Sequence, residues 1–102
     1  MRFEEDNGTL RCFFEGSINS EVCMRLEPEL TDRVAVAQKT MPSFILVFDM
    51  SEANYICSAF LRFCIYYCKH LGAKNFRIEH VSADIKKVFV VAGFTEIMTI
   101  LP

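Results

Sequence analysis

The sequence predicts an α/β domain with a mixed, mostly parallel sheet of four to five strands and about three to four helices. Three observations support this. Just over half of the 102 residues are apolar and about a quarter are charged, as in a compact domain. The unbroken apolar run 44–48 is typical of a buried central strand. After it, strands and helices alternate through short connections, which favours right-handed crossovers and a parallel sheet. We expect one domain over residues 1–102.

The chain opens with a predicted hairpin. Asn7-Gly8 is a strong turn signal, so 2–5 should pair antiparallel with 9–15. Polarity alternates in the second of these strands, with Leu10, Cys12 and Phe14 expected on the buried face.

A helix is predicted from Ser20 onward, because apolar residues recur there at helical spacing: Val22, Leu26, Leu30, Val34 and Ala37. Pro28 lies inside this pattern. Proline removes a backbone donor and clashes with the preceding turn, so we predict a break at Pro28.

The central strand is predicted over 43–49, followed by a loop from Met50 to Cys57 and a helix from Ser58 to Leu71. The inward stripe of this helix should be Leu61, Cys64, Ile65, Cys68 and Leu71. Gly72 is expected to end it as a left-handed cap.

The last third predicts a strand, a helix and a second strand. Phe76 and Ile78 form the first of these strands, which could extend to His80, and Ser82 caps the helix. The inward positions of the helix are Ile85, Val88, Phe89 and Ala92, and it ends at Gly93. Residues 95–101 form the final strand.

Composition excludes several classes of function. The formal charge of -2, with scattered basic residues, argues against binding to nucleic acid or to an anionic membrane surface. No apolar run is long enough to insert in a membrane, and the start lacks a signal peptide, so we expect a cytoplasmic protein. Five cysteines without CxxC spacing argue against a disulfide scaffold or a metal site. No cofactor is expected.

The stretch from Val47 to Leu61, VFDMSEANYICSAFL, resembles the V-L-D-L-S-x-V-x-F-I-D-S-S-G-L segment of the STAS family. This family includes bacterial anti-sigma factor antagonists and cytosolic domains of anion transporters. Its later G-x-x-L-x-L-x-x-V-S-P-x-V-x-x-V-L-x-x-x-G-L pattern is similar to 72–94, at Gly72, Phe76, Ile78, Val81-Ser82, Ile85, Val88-Phe89 and Gly93-Phe94. The resemblance implies a single STAS-like domain.

The resemblance also implies a role for Ser58, which occupies the place of the serine that a partner kinase phosphorylates in the antagonists. The unmodified form would bind a sigma-factor-sequestering kinase, and phosphorylation would release it. The neighbouring residues depart from the family pattern. Cys57 replaces Asp, Ala59 replaces the second hydroxyl residue, and Phe60 replaces Gly.

Two interpretations of Ser58 follow from its position at a predicted helix start. Free backbone N–H groups and the helix dipole favour an anion there, which suits a phosphate. Serine is also a common N-cap, which needs no modification.

The predicted helix from Ser58 carries an aromatic stripe formed by Phe60, Phe63 and Tyr67, with Tyr66 close by. Such a cluster is typical of an interface with another protein or, across a two-fold axis, of a homodimer. The alternative is that the rings pack on the protein's own loops.

We therefore expect a non-enzymatic adaptor that binds a protein partner, with an accessory subunit of a lipid or anion transporter as the alternative. A small enzyme using Cys57 or Asp49 is a third hypothesis, with no base or oxyanion site to accompany it. Asp49 ends the predicted central strand and could lie near Ser58, at the sheet's carboxyl edge. The predicted partner-binding residues are Asp49, Cys57, Ser58, Ala59, Phe60, Phe63 and Tyr67.

Overall fold

The computed structural model describes all residues from 1 to 102 and confirms the α/β class, with one mixed sheet and three helices. The strands are β1 Arg2–Asp6, β2 Thr9–Ile18, β3 Ile45–Ile56, β4 Phe76–Glu79 and β5 Thr99–Ile100. The helices are α1 Ser20–Thr40, α2 Ser58–Leu71 and α3 Ala83–Val91, with short 3-10 turns at Ala73–Asn75 and Phe94–Glu96.

The five strands lie in the sheet in the order in which they occur in the chain. β1 pairs antiparallel with β2, through a turn in which Asn7 and Gly8 both have positive φ, so the predicted hairpin is confirmed. The remaining pairs are parallel. Each crossover leads to the next strand in the same direction. Right-handed crossovers of this kind place all three helices on one face, and the other face carries no helix.

The core is a single cluster between the helices and the covered face of the sheet. Aromatic rings form its centre. Phe48 lies 4.8 Å from Phe14 and 4.9 Å from Phe76 between ring centroids, and Phe60 packs 5.0 Å from Phe14. The edge-to-face geometry of these pairs is the arrangement that aromatic quadrupoles favour.

The predicted break at Pro28 is wrong, because α1 continues through it. Pro28 is exposed, so the carbonyl that loses its helical partner is on the side open to water. Buried residues continue on both sides of it, at Cys23, Leu26, Leu30, Val34 and Ala37. Burial of this stripe offsets the lost hydrogen bond. Cys23 takes the buried position predicted for Val22, which is half-buried.

The predicted loop from Met50 to Cys57 is also wrong, because β3 runs on to Ile56. Its second half pairs with the end of β2, where Gly16 faces Ala53 and Ile18 faces Ile56. Two register shifts insert extra residues into β3, which allows the strand to bend while it pairs. Buried Met50, Ala53 and Ile56 hold this extension against the core.

Helix α2 is rotated relative to the predicted stripe. Its buried residues are Phe60, Cys64, Tyr67 and Cys68, whereas Leu61, Ile65 and Leu71 are only partly buried. Gly72 has a positive φ but an extended ψ of 145°, so it ends the helix without the left-handed helical conformation.

The C-terminal elements are shorter than predicted. Ser82 caps α3 by accepting a hydrogen bond from the Ile85 N–H, as expected. Ile85 and Phe89 are buried, but Val88 and Ala92 are exposed. The final strand is limited to Thr99–Ile100, because a 3-10 turn follows Gly93. No helix has both the length and the apolar character needed to cross a membrane.

Candidate functional site

Ser58 is the first residue of α2, and the N-cap position belongs to Cys57. The prediction that Ser58 is an N-cap is therefore wrong, because the extended backbone that precedes the helix is that of Cys57, with φ -116° and ψ 177°. The Ser58 side chain is exposed and its hydroxyl has no hydrogen-bond partner within the chain. The hydroxyl is consequently free to react or to contact another molecule.

Cys57 is a half-buried thiol at the positive end of α2. Its burial disfavours the thiolate, but the backbone N–H groups of Phe60 and Ala59 and the Ser20 hydroxyl outweigh this effect and lower the pKa of Cys57. The Ser20 Oγ lies 3.9 Å from the Cys57 Sγ. Burial raises the pKa of nearby Cys23 to about 12. Cys57 is thus the most reactive thiol of this region.

An apolar groove of about 630 Å³ lies between α1 and α2, beside the Ser58 turn. We call it the α1–α2 groove. Met24 and Tyr66 form exposed parts of it, at 76% and 56% exposure, and Phe63 is half-buried in its wall. The complete lining is Ser20, Cys23, Met24, Glu27, Leu30, Thr31, Ala59, Arg62, Phe63, Tyr66 and Tyr67.

The predicted aromatic stripe is divided between this groove and the core. Phe60 is fully buried and Tyr67 is 5% exposed, so these two rings pack inside the protein. The reason is the rotation of α2, which places Phe60 against Phe14 and Tyr67 against Phe48. Phe63 and Tyr66 remain as the aromatic side chains open to a partner.

Arg62 also lines the groove, a position that was not predicted from the sequence. It lies one helical turn after Ser58, on the same face of α2. Its side chain is exposed and forms no ion pair with another residue of the chain. The spacing of four residues from Ser58 was the signal that could have found it.

Asp49 does not lie near Ser58, so that prediction is wrong. In the register with β2, Asp49 faces Phe13 and Ile56 faces Ile18. Phe13 and Ile18 are five residue steps apart along β2, which is about 17 Å of extended strand. Because the predicted loop is a strand, the chain leads away from Asp49 and does not fold back over it.

Asp49 instead forms the centre of a polar cluster on the face of the sheet that no helix covers. One carboxylate oxygen accepts hydrogen bonds from the Ser51 N–H at 3.0 Å and the Ser51 hydroxyl at 2.8 Å. The other lies 3.0 Å from Arg11 Nη1 and 2.9 Å from His80 Nδ1. Burial alone would raise the pKa of Asp49, but the bonds from Ser51 and His80 outweigh it and lower that pKa.

Glu79 joins the same cluster from β4. Arg11 Nη1 lies 2.8 Å from one of its carboxylate oxygens, and Arg77 Nε donates to the other. The two guanidinium groups outweigh the effect of burial and lower the pKa of Glu79. The charges of Arg11, Arg77, Asp49 and Glu79 balance, which allows a partly buried network on an uncovered sheet.

His80 completes the cluster and is 55% exposed. Its φ is 58°, a left-handed conformation that is uncommon for a residue other than glycine. Its contact with Asp49 was not predicted. The signal was available, since Asp49 lies at the end of the apolar run of β3 and His80 directly follows the parallel strand β4, in which Glu79 pairs with Asp49.

No family model matches the chain, and no curated protein matches it. Nor do the side chains of His, Cys, Asp and Glu form any group of three or more that could hold a metal ion.

Proposed function

We propose that this protein is a non-enzymatic regulatory adaptor that binds a protein partner at the α1–α2 groove and the adjoining Ser58 turn. The observation that carries the proposal is the exposed Ser58 with an unbonded hydroxyl, adjacent to Ala59 and one turn from Arg62, which both line an aromatic groove. Aromatic side chains that remain partly exposed beside a concave surface are the usual anchors of protein interfaces.

Phosphorylation of Ser58 would control this interface. A phosphate would add about -1.5 to -2 charges at the rim of the groove. It would be stabilised by the positive end of α2 and by Arg62, which has no ion-pair partner in the chain. A partner that fits the neutral hydroxyl would meet this charge and an immobilised arginine, and would dissociate.

The resemblance to STAS anti-sigma factor antagonists suggests the class of partner, a serine kinase that sequesters a sigma factor. The Phe that replaces the family's Gly at position 60 is compatible with this role, because its ring is buried against Phe14 and does not obstruct the surface. We place the protein in the cytoplasm, where its five free thiols suit the reducing conditions.

Incubation with a kinase of this class and ATP tests the switch. We expect intact-mass analysis to show one added phosphoryl group on the wild type and none on Ser58→Ala. Ser82→Ala is the matched control, since Ser82 is also an exposed serine at a helix start. An unmodified wild type, in the presence of a kinase that binds it, would remove the phosphorylation switch and leave only the adaptor.

Calorimetric titration with the same kinase tests the groove. Tyr66→Ala should weaken binding by about tenfold or more, as expected for an aromatic anchor. Val91→Ala is the control, because Val91 is 88% exposed but lies on α3. Equal affinities of Tyr66→Ala and wild type would exclude the groove as the interface. Binding of a transporter subunit in place of the kinase would favour the accessory-subunit alternative.

A further inference from the structure

Asp49 and His80 form a carboxylate–histidine pair on the uncovered face of the sheet, away from the α1–α2 groove. The Asp49 carboxylate is 3% exposed and lies 2.9 Å from His80 Nδ1. The two hydrogen bonds from Ser51 fix the carboxylate from the other side. The imidazole itself is 55% exposed, so a buried, immobilised acceptor orients a ring that solvent can reach.

This arrangement determines which ring nitrogen is available. A carboxylate accepts a hydrogen bond and cannot donate one, so the proton of the neutral imidazole lies on Nδ1. Nε2 then carries the free lone pair, and no group of the chain is bonded to it. His80 therefore presents an oriented nucleophile.

We propose that His80 is a phospho-acceptor site, in which Nε2 receives a phosphoryl group from a donor with a labile phosphorus–nitrogen bond. Such donors include phosphohistidine of another protein and, as a chemical probe, phosphoramidate. The inference goes beyond the Ser58 switch and does not depend on it, because the two sites lie on different elements and use different chemistry.

The step balances with phosphoramidate as donor. The Nε2 lone pair forms the new bond to phosphorus while the bond from phosphorus to the donor nitrogen breaks. Phosphoramidate reacts as its N-protonated form, so the leaving nitrogen already carries three protons and departs as ammonia with the electron pair of that bond. The ring keeps its Nδ1 proton and becomes a phosphorylated imidazolium. Nothing is oxidised or reduced, and no further reactant is needed.

The charges around His80 suit this product. Asp49 faces the Nδ1–H of the ring, so its carboxylate stabilises the positive charge that the imidazolium acquires. Arg11 and Arg77 lie in the same cluster with 25% and 33% of their side chains exposed. Arginine has five N–H donors, and the terminal Nη groups of Arg77 make no hydrogen bond within the chain. Donors for phosphoryl oxygens are thus present on this face.

His70 provides a control within the same molecule. It is the second histidine of the chain and is also exposed. Its Nε2 lies 3.4 Å from Gln38 Nε2, and its ring stacks on Tyr66 with 5.5 Å between centroids. No carboxylate contacts His70. A reaction that depended only on exposure would modify both histidines alike.

The test is to react the wild-type protein with phosphoramidate and follow both histidines by peptide mapping. We expect His80 to be phosphorylated about tenfold faster than His70, by analogy with the lower end of the effect of a carboxylate that orients a metal-binding histidine. The product should be labile in acid, which separates phosphohistidine from phosphoserine at Ser58. Equal rates at the two histidines, or faster reaction of His70, would overturn the proposal.

A second arm uses Asp49→Asn, with Ser51→Ala as a milder change to the same carboxylate. Asp49→Asn should lower the rate at His80 to that of His70 without altering the rate at His70, and Ser51→Ala should give an intermediate rate at His80. If circular dichroism shows that Asp49→Asn does not fold, the proposal is decided by the rate at His80 in Ser51→Ala and by the ratio of the rates at His80 and His70 in the wild type. An unchanged rate at His80 in a folded Asp49→Asn protein would show that the pair is only structural.

Discussion

Single residues at the start of α2 determine what this surface can do. Cys57 provides the extended backbone before the helix, so Ser58 becomes the first helical residue and its hydroxyl does not cap the helix. A serine that caps a helix has its oxygen bonded to the backbone. The displacement of the cap by one position therefore leaves Ser58 free and places the Cys57 sulfur near the N–H groups of the first turn.

The first prediction concerns this sulfur. Under native conditions, a disulfide reagent such as DTNB should react with one thiol per chain at least about tenfold faster than with the others, because reactivity follows thiolate content and exposure. Cys57 is half-buried with a lowered pKa, whereas Cys12, Cys23, Cys64 and Cys68 are buried. The absorbance of the released thiolate measures the rates.

Two variants identify the thiol that reacts fast with DTNB, which gives the fast phase of the absorbance change. Cys57→Ala should abolish it, and Cys68→Ala should leave it unchanged, since Cys68 is 8% exposed in the core. A fast phase that persists in Cys57→Ala would mean that a core thiol is exposed by local opening.

At the scale of elements, hydrophobic patterns predicted the order of helices and strands, but they did not predict where β3 ends or which face of α2 is buried. The spacing of apolar residues indicates the type of an element, which is why 9–15, 43–49 and 58–71 were assigned to the correct types. Tertiary contacts then decided the rest. The buried stripe of α1 carried the helix through Pro28, and pairing with β2 extended β3 to Ile56. Neither partner can be identified from the local sequence.

The second prediction tests the continuity of α1. Pro28→Ala should raise the free energy of unfolding by about 1–2 kcal/mol, because alanine restores a helical N–H and removes the clash with the preceding turn. Urea denaturation followed by circular dichroism gives the value. Asp32→Ala, another exposed position of α1, should change it by only a few tenths. No gain from Pro28→Ala would indicate that the two halves of α1 are independent in solution.

At the scale of the whole molecule, the sequential strand order places every helix on one face and leaves the other face, which carries the Asp49 cluster, without a helix. The alternation of β2 predicted that Arg11 faces away from the core. The network that Arg11 forms with Asp49 and Glu79 could not be predicted, because it requires the register between three strands.

The candidate site at the α1–α2 groove was predicted in part. Ser58 and Phe63 were identified, but the contribution of α1 to the groove depends on helix packing.

The third prediction concerns association of the free protein. Of the aromatic residues expected to pair across a two-fold axis, Phe60 and Tyr67 are in the core, and the apolar surface left in the groove is mainly Met24, Phe63 and Tyr66. Across a two-fold axis this patch would meet its own copy and bring two Arg62 side chains without ion-pair partners together, whereas a different protein can supply complementary charge. We therefore expect light scattering to give a monomer. A dimer that Tyr66→Glu dissociates would instead make the groove a homodimer interface.

The fourth prediction is that the uncovered face controls stability in acid. The pKa values of Asp49 and Glu79 are lowered in the folded protein, so the folded state binds fewer protons than the unfolded chain when these groups titrate. The stability that they contribute is fully present above about pH 5 and is lost as the pH falls through their folded pKa values.

Residue 49 cannot titrate in Asp49→Asn, so the free energy of unfolding of this variant should fall less steeply between about pH 5 and pH 2. Urea denaturation across this range measures both curves, with Asp32→Asn, an exposed carboxylate without an ion pair, as the control that retains the wild-type slope. If Asp49→Asn and wild type lose stability in parallel, other carboxylates control acid unfolding, and the Asp49 cluster serves only to fix the conformation of His80.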